Sequence, residues 1–183
     1  YGQKHKIELE RAKKNIRYLA ENGYNIEHKV ADLSSAMSIF SSALTSDEID
    51  VPEGHYEEEQ MKSTVVPNRN AIFSSILYGY ALSISEEEDA DVVIALGVHS
   101  GDHAIYPDCR PEFYKSIGES FALGNWGSER VSFHLPYIDG DKETILRDSL
   151  VNCQKMNLDF DTIFANTNTS YNPDENGLSS GRS

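Results

Sequence analysis

The stretch from His99 to Arg110, HSGDHAIYPDCR, concentrates side chains that bind or react with small polar molecules. Arg110 carries a planar guanidinium fork that matches a carboxylate or a phosphate. Asp102 and Asp108 could accept hydrogen bonds from the N–H edge of a base, or ligate a metal ion. Tyr106 offers a flat ring for stacking, and His103 could give or take a proton near neutral pH. Cys109 could be a nucleophile or a small buried hydrophobe; for the cysteine alone the buried, inert reading weighs more. For the loop as a whole the balance tips towards function, because its polar groups directly follow an apolar run.

Two further stretches bear on the same chemistry. In VVPNRN (65–70), Asn68 is a capping residue, and Arg69 with the first amides of the next helix could hold an anion. The segment by itself leaves an anion site and a plain cap equally open. In DGDKET (139–144), Lys142 opens a helix just after a strand, a place suited to phosphate, although a lone lysine there is more often surface. His5, His28, His55 and His134 show no metal-ligand spacing, so no metal site is expected from them. The chain contains no GxGxxG, Walker A, GxSxG or Cys-x-x-Cys pattern.

The elements that must position these residues can be read from periodicity. Leu9, Ala12, Ile16 and Leu19 fall on one face of a helix from Lys4 to about Asn22, stopped by Gly23. NIEHKVADL predicts a short strand, with Ile26, His28 and Val30 alternating, and LSSAMSIFSSAL a short helix. Thr45 to Ser63 is acidic and loop-like; a lid and a plain solvated loop are equally open. Ile72, Phe73, Ile76, Leu77, Tyr80, Ala81 and Ile84 predict a long helix with a broad apolar face. DVVIALGV then reads as a strand buried on both faces, as in a parallel sheet. A helix follows from Pro111 with Phe113, Ile117 and Phe121 on one side. RVSFHLPYI is a second strand, DKETILRDSLVNCQKM a helix, and a last short strand is expected somewhere within LDFDTIFANTNTSYNPDENG. Repeated alternation implies an α/β domain with a mainly parallel sheet flanked by helices. In such sheets ligands sit beyond the carboxyl ends of the strands, where the 99–110 loop falls.

The 183 residues suit a single domain over 1–183, expected to be part of a longer chain because it begins with Tyr1. A net charge of −14 argues against direct nucleic-acid binding. No apolar run approaches the roughly 20 residues of a membrane helix. Two cysteines, Cys109 and Cys153, are too few for a disulfide framework and point to a reducing, cytoplasmic setting.

Taken together, YGQKHKIELERAK at the start of the chain, ALTSDEIDVP, VVPNRN, GVHSGDHAIYPDCRPEF and YIDGDKETI resemble the 7-cyano-7-deazaguanine synthase family of PP-loop ATP pyrophosphatases. VVPNRN is similar to the family's VPGRN, with Asn68 in place of glycine, and YPDCR matches without a gap. The resemblance implies a PP-loop ATPase architecture and an ATP-dependent ligase. Its substrates would be ATP, 7-carboxy-7-deazaguanine and ammonia, its product 7-cyano-7-deazaguanine for queuosine, archaeosine or DNA modification, and its assembly a homodimer. It places Asp102, Arg110 and Lys142 in catalysis. Arg69, Asn70, His103, Tyr106, Asp108 and Cys109 would bind substrate, and magnesium would accompany ATP.

Three departures qualify it. The family's SGGxDS loop would lie upstream of Tyr1, and this stretch alone is not expected to turn over ATP. The family's zinc-binding cysteines would fall near the C-terminus, where Ser170 and other serines stand, so zinc is not expected in this chain. His99 replaces a cysteine that follows Gly-Val in the family and marks a subgroup. The alternative reading is a non-catalytic or divergent PP-loop relative that binds a nucleotide or base within a larger assembly.

Overall fold

The computed structural model describes residues 7–45 and 59–168. The opening YGQKH, most of the acidic 45–63 stretch and Ser170 lie outside them. By its contacts the chain divides into two compact units, residues 1–67 with 148–183 and residues 68–147.

The first unit contains α1 (Ile7–Glu21) and α2 (Ser34–Met37). Gly23 ends α1 with φ 90°; its N–H donates to Ala20 O (3.1 Å), and the Tyr24 N–H donates to Leu19 O (2.9 Å). That double bond closes the helix and uses the left-handed conformation glycine tolerates. The strand expected over residues 25–33 does not form. Ile26 and Val30 are exposed there, so the alternation has no sheet face to bury and no ladder to join. Met37, Ala43, Leu44 and Val66 are buried, and the Ala43 N–H donates to Ser63 O (2.9 Å).

The second unit carries the sheet. Asn68 precedes α3 (Arg69–Glu88), which leads through Asp89 (φ 50°) into β1 (Val92–Ala95). After a loop come α4 (Pro111–Gly124) and β2 (Val131–His134). The strands pair in parallel, from Val92 opposite Val131 to Ala95 opposite His134. The α/β class with a parallel sheet flanked by helices is therefore correct. Tyr78, Ala81, Ile94 and Val131 form the core, with Phe121 and Phe133 packed against it. The Tyr78 and Phe121 rings lie 4.8 Å apart.

Two expectations change here. Among the described residues β1 is covered on one face only: Ile94 is buried, whereas Val93 and Ala95 are exposed. The buried residues of α3 are Ser74, Tyr78, Ala81 and Ser85, not the row through Ile76, Leu77 and Tyr80. Apolar residues surround α3 on most sides, so periodicity alone does not select the packed face; Tyr78 and Ala81 are the α3 residues that join Ile94 and Val131 in the core.

The last helices are α5 (Lys142–Lys155), which begins in the second unit and ends in the first, and α6 (Phe160–Ala165). A short strand was expected within residues 158–177; the described part of that stretch holds α6 instead, and residues 169–177 lie outside the described residues. Asp159 caps it, accepting the Thr162 N–H at 2.7 Å, and Phe160, Ile163 and Phe164 have helical spacing. The Phe160 and Phe164 rings stack at 4.4 Å. No helix among the described residues is long and apolar enough to cross a membrane.

Candidate functional site

The sequence-predicted residues converge at the carboxyl ends of the two parallel strands. The loop after β1 folds into two short 3-10 turns, Ser100–Asp102 and Pro107–Cys109. The loop after β2 is tied to it, because the Ser100 N–H donates to Gly140 O at 2.8 Å and the Ser100 hydroxyl donates to the same carbonyl. This bridge holds the segment that leads to Lys142 at the same end of the sheet as the 99–110 loop.

The second 3-10 turn locks onto the start of α3. Asp108 Oδ2 accepts the Asn70 N–H (3.2 Å), and Asn70 Nδ2 donates to Asp108 O (3.2 Å) and to Cys109 Sγ (3.3 Å). Asn68 stands at the N-cap as expected, but its side chain makes no capping bond; its backbone is left-handed at φ 57°. That conformation explains the residue type, since glycine and asparagine are the residues that adopt it at least cost. The carboxylate of Asp108 takes over the capping role.

Arg69 lies over the Tyr106 ring, with Cζ 5.4 Å from the centroid. Tyr106 is only 2 % exposed, so its ring is part of the packing rather than an open stacking platform. Arg110 is exposed and donates from Nε to His103 O at 2.8 Å, which fixes the guanidinium plane at the loop's rim. Two buried polar atoms in the loop, His103 Nε2 and Asp108 Oδ1, have no hydrogen-bond partner among the described residues.

Cys109 is buried, with 3 % exposure. Burial pushes its thiol up to about 11, and the negative charge of Asp102 and Asp108 adds to the shift. Such a thiol is a packing group and not a nucleophile. Beneath it, burial raises Tyr114 to about 12, helped by Cys109 and Asp108, against a hydrogen bond with Ser74.

Lys142 is exposed at the first turn of α5, where Asp141 already caps the helix. Asp141 Oδ1 accepts the Thr144 N–H and the Thr144 hydroxyl, both at 2.8 Å, and these bonds hold its carboxyl below the usual range. With Asp141 bonded to the Thr144 N–H, that amide of the first turn of α5 is already occupied. Sequence reasoning missed Asp141, although Asp-x-x-Thr before a helix is a capping pattern. It also missed the local role of His99, which accepts the Gly101 N–H through Nδ1 (3.1 Å).

The family model "Queuosine biosynthesis protein QueC" matches residues 1–182. The chain belongs to the QueC family. It is 45 % identical over 172 residues to 7-cyano-7-deazaguanine synthase 1 of Colwellia psychrerythraea, covering 94 % of this chain and 70 % of that protein. It is 47 % identical over 161 residues to 7-cyano-7-deazaguanine synthase 2 of the same organism, covering 87 % and 66 %. With 7-cyano-7-deazaguanine synthase of Caldicellulosiruptor saccharolyticus the identity is 43 % over 147 residues, covering 80 % and 60 %. The chain thus spans between 60 % and 70 % of the length of these relatives. Among the described residues no group of three or more His, Cys, Asp or Glu could hold a metal ion.

Proposed function

We propose that this QueC-family protein is an ATP-dependent ligase that converts 7-carboxy-7-deazaguanine and ammonia into 7-cyano-7-deazaguanine. The observation that carries the reading is the 99–110 loop at the carboxyl end of a parallel strand, its YPDC turn capping the helix that presents Arg69 and Asn70. That arrangement fits a flat, polar, carboxylate-bearing base better than a macromolecule. The relatives' names support the same substrate class.

The chemistry is a double activation. The substrate carboxylate attacks the α-phosphorus of ATP and releases pyrophosphate. Ammonia then displaces AMP from the acyl adenylate, loses a proton and leaves the amide. The amide oxygen attacks a second ATP, again releasing pyrophosphate. The C–O bond to AMP then breaks and both N–H protons are lost, which leaves the carbon–nitrogen triple bond of the nitrile. A carboxylate is a poor electrophile, and each adenylation supplies the leaving group it lacks.

In this reading Arg110 receives the substrate carboxylate on the edge that its Nε bond leaves outward. Asp102, His103 and Asp108 meet the polar edges of the base. His103 Nε2 and Asp108 Oδ1 support this assignment: a buried polar atom without a partner costs about 1–3 kcal/mol, which a ligand hydrogen bond offsets. Lys142 neutralises phosphate charge. Arg69 contributes charge from its place over Tyr106, while Asn70, Tyr106 and Cys109 shape the wall from behind. Magnesium would arrive with ATP; among the described residues no group of three or more His, Cys, Asp or Glu would hold it. A cytoplasmic homodimer completes the proposal.

The test is direct. The full-length protein is incubated with ATP, ammonia and 7-carboxy-7-deazaguanine, and AMP and the nitrile are measured by mass spectrometry. Two AMP released per nitrile formed is the expected stoichiometry. Tight binding of the base with no AMP release would favour a non-catalytic relative instead.

A further inference from the structure

We infer that His99 is a positioning residue that holds the Asp102 carboxylate in place within the loop after β1. The inference rests on the proposed role of that loop as the base-binding wall.

The argument begins with the imidazole. Its Nδ1 accepts the Gly101 N–H at 3.1 Å, so in the neutral ring the proton sits on Nε2. Nε2 lies 3.5 Å from Asp102 Oδ2. The proton therefore faces a carboxylate and not a second donor. The separation is longer than an ordinary N–H···O bond, so the contact at this distance is an electrostatic one between the ring N–H and the carboxylate.

Both groups are partly enclosed, with 12 % of the His99 side chain and 22 % of the Asp102 side chain exposed, so the contact is less screened than a surface pair. The ring packs closely on the backbone of Gly101: a Cβ added there would lie 3.0 Å from both Nδ1 and Cε1 of His99, so a side chain at 101 would push the imidazole from this place. The same carboxylate bears on Cys109, whose thiol it helps to keep protonated. His99 thus links the first 3-10 turn to the carboxylate whose orientation the second turn feels.

A purely local role is the competing account, with His99 only capping the Ser100–Asp102 turn. Two substitutions separate the accounts. His99→Asn keeps an acceptor near the position of Nδ1 but does not reach Asp102. His99→Gln places an amide N–H near the position of Nε2 and gives up the local acceptor.

The experiment uses the full-length protein and two readouts. In the first, imidazole nitrogen NMR is recorded for the wild type and for Asp102→Asn. The expected result is a bare Nδ1, a protonated Nε2, and an Nε2 resonance that moves in the variant. A proton on Nδ1, or an Nε2 signal indifferent to Asp102→Asn, overturns the inference.

In the second, AMP release is followed against the concentration of 7-carboxy-7-deazaguanine. His99→Asn is expected to raise KM for the base about tenfold with KM for ATP unmoved, and His99→Gln to raise it by no more than about threefold. The reverse order of the two variants overturns the inference in favour of the local cap. A wild type that releases no AMP defeats the functional reading, and the imidazole nitrogens then still decide whether His99 holds Asp102.

Discussion

Asp108 caps a helix to which it does not belong: its Oδ2 accepts the N–H of Asn70 in the first turn of α3, and the Asn70 amide returns a hydrogen bond to Asp108 O, each at 3.2 Å. A carboxylate at a helix N-terminus satisfies an orphan amide and faces the positive end of the helix dipole. Asp108→Ala should therefore lower stability by about 1–2 kcal/mol. Asp108→Asn keeps an acceptor and should lose less. Urea unfolding of the variants checks this, and equal midpoints for wild type and Asp108→Ala would remove the cap from the account.

Tyr106 and Arg69 make a second prediction. Because the ring is buried and the guanidinium lies over it, Tyr106 is expected to act first on stability. Tyr106→Leu should cost about 2–4 kcal/mol, a cavity-scale loss. Tyr106→Phe preserves the ring and should cost much less. Thermal unfolding of the two variants gives the comparison. A Tyr106→Leu protein of wild-type stability that has lost affinity for the base would return the ring to a direct stacking role.

Much of this site was legible before the structure. The YPDCR run, the proline-started α4 and the parallel pair of strands each follow from local patterns that agree with the tertiary arrangement. What stayed hidden depends on partners distant in sequence. Nothing in VVPNRN says that Asp108 rather than Asn68 caps α3, because a cap supplied from another segment has no local signature. The buried face of α3 was likewise obscured, since a helix apolar on most sides carries no directional period. The strand expected around Ile26 fails for the complementary reason: alternation is a condition for a strand, and a pairing partner is another. Asp159 and Asp141 were within reach, as each stands three residues before a threonine it caps.

Alkaline pH gives a third prediction. Cys109 is raised from its ordinary 9.0 to about 11, and Tyr114 from 10.0 to about 12, in both cases mainly by burial. Above pH 9 the unfolded chain releases these protons before the folded one does. The folded state then binds more protons than the unfolded state, so stability falls as pH rises, first through the cysteine window and then through the tyrosine window. Unfolding free energies measured from pH 8 to pH 11 should decline. Cys109→Ala should flatten the part of the decline that begins near pH 9, and an unchanged slope would assign it to other groups. The same burial predicts that iodoacetamide at pH 8 modifies Cys109 only after unfolding, as peptide mapping would show.

Arg110 and Lys142, two of the three cations of the proposed reaction, are expected to serve different substrates. Arg110 is exposed, and its Nε bond to His103 O sets its plane without covering the outward edge. Removing a charge-assisted contact to a carboxylate costs about 1.5–3 kcal/mol, or roughly 10- to 100-fold. Arg110→Ala should thus lower kcat/KM for 7-carboxy-7-deazaguanine by at least that range while thermal stability holds. Arg110→Lys should not restore it, because an ammonium cannot reproduce the planar fork. Lys142 instead stands at the start of α5, on the segment that the Ser100–Gly140 bridge ties to the loop. Lys142→Ala should weaken ATP and leave affinity for the base intact. If isothermal titration finds the reverse division, with Arg110→Ala impairing ATP alone, the two residues exchange roles and the carboxylate lies against α5.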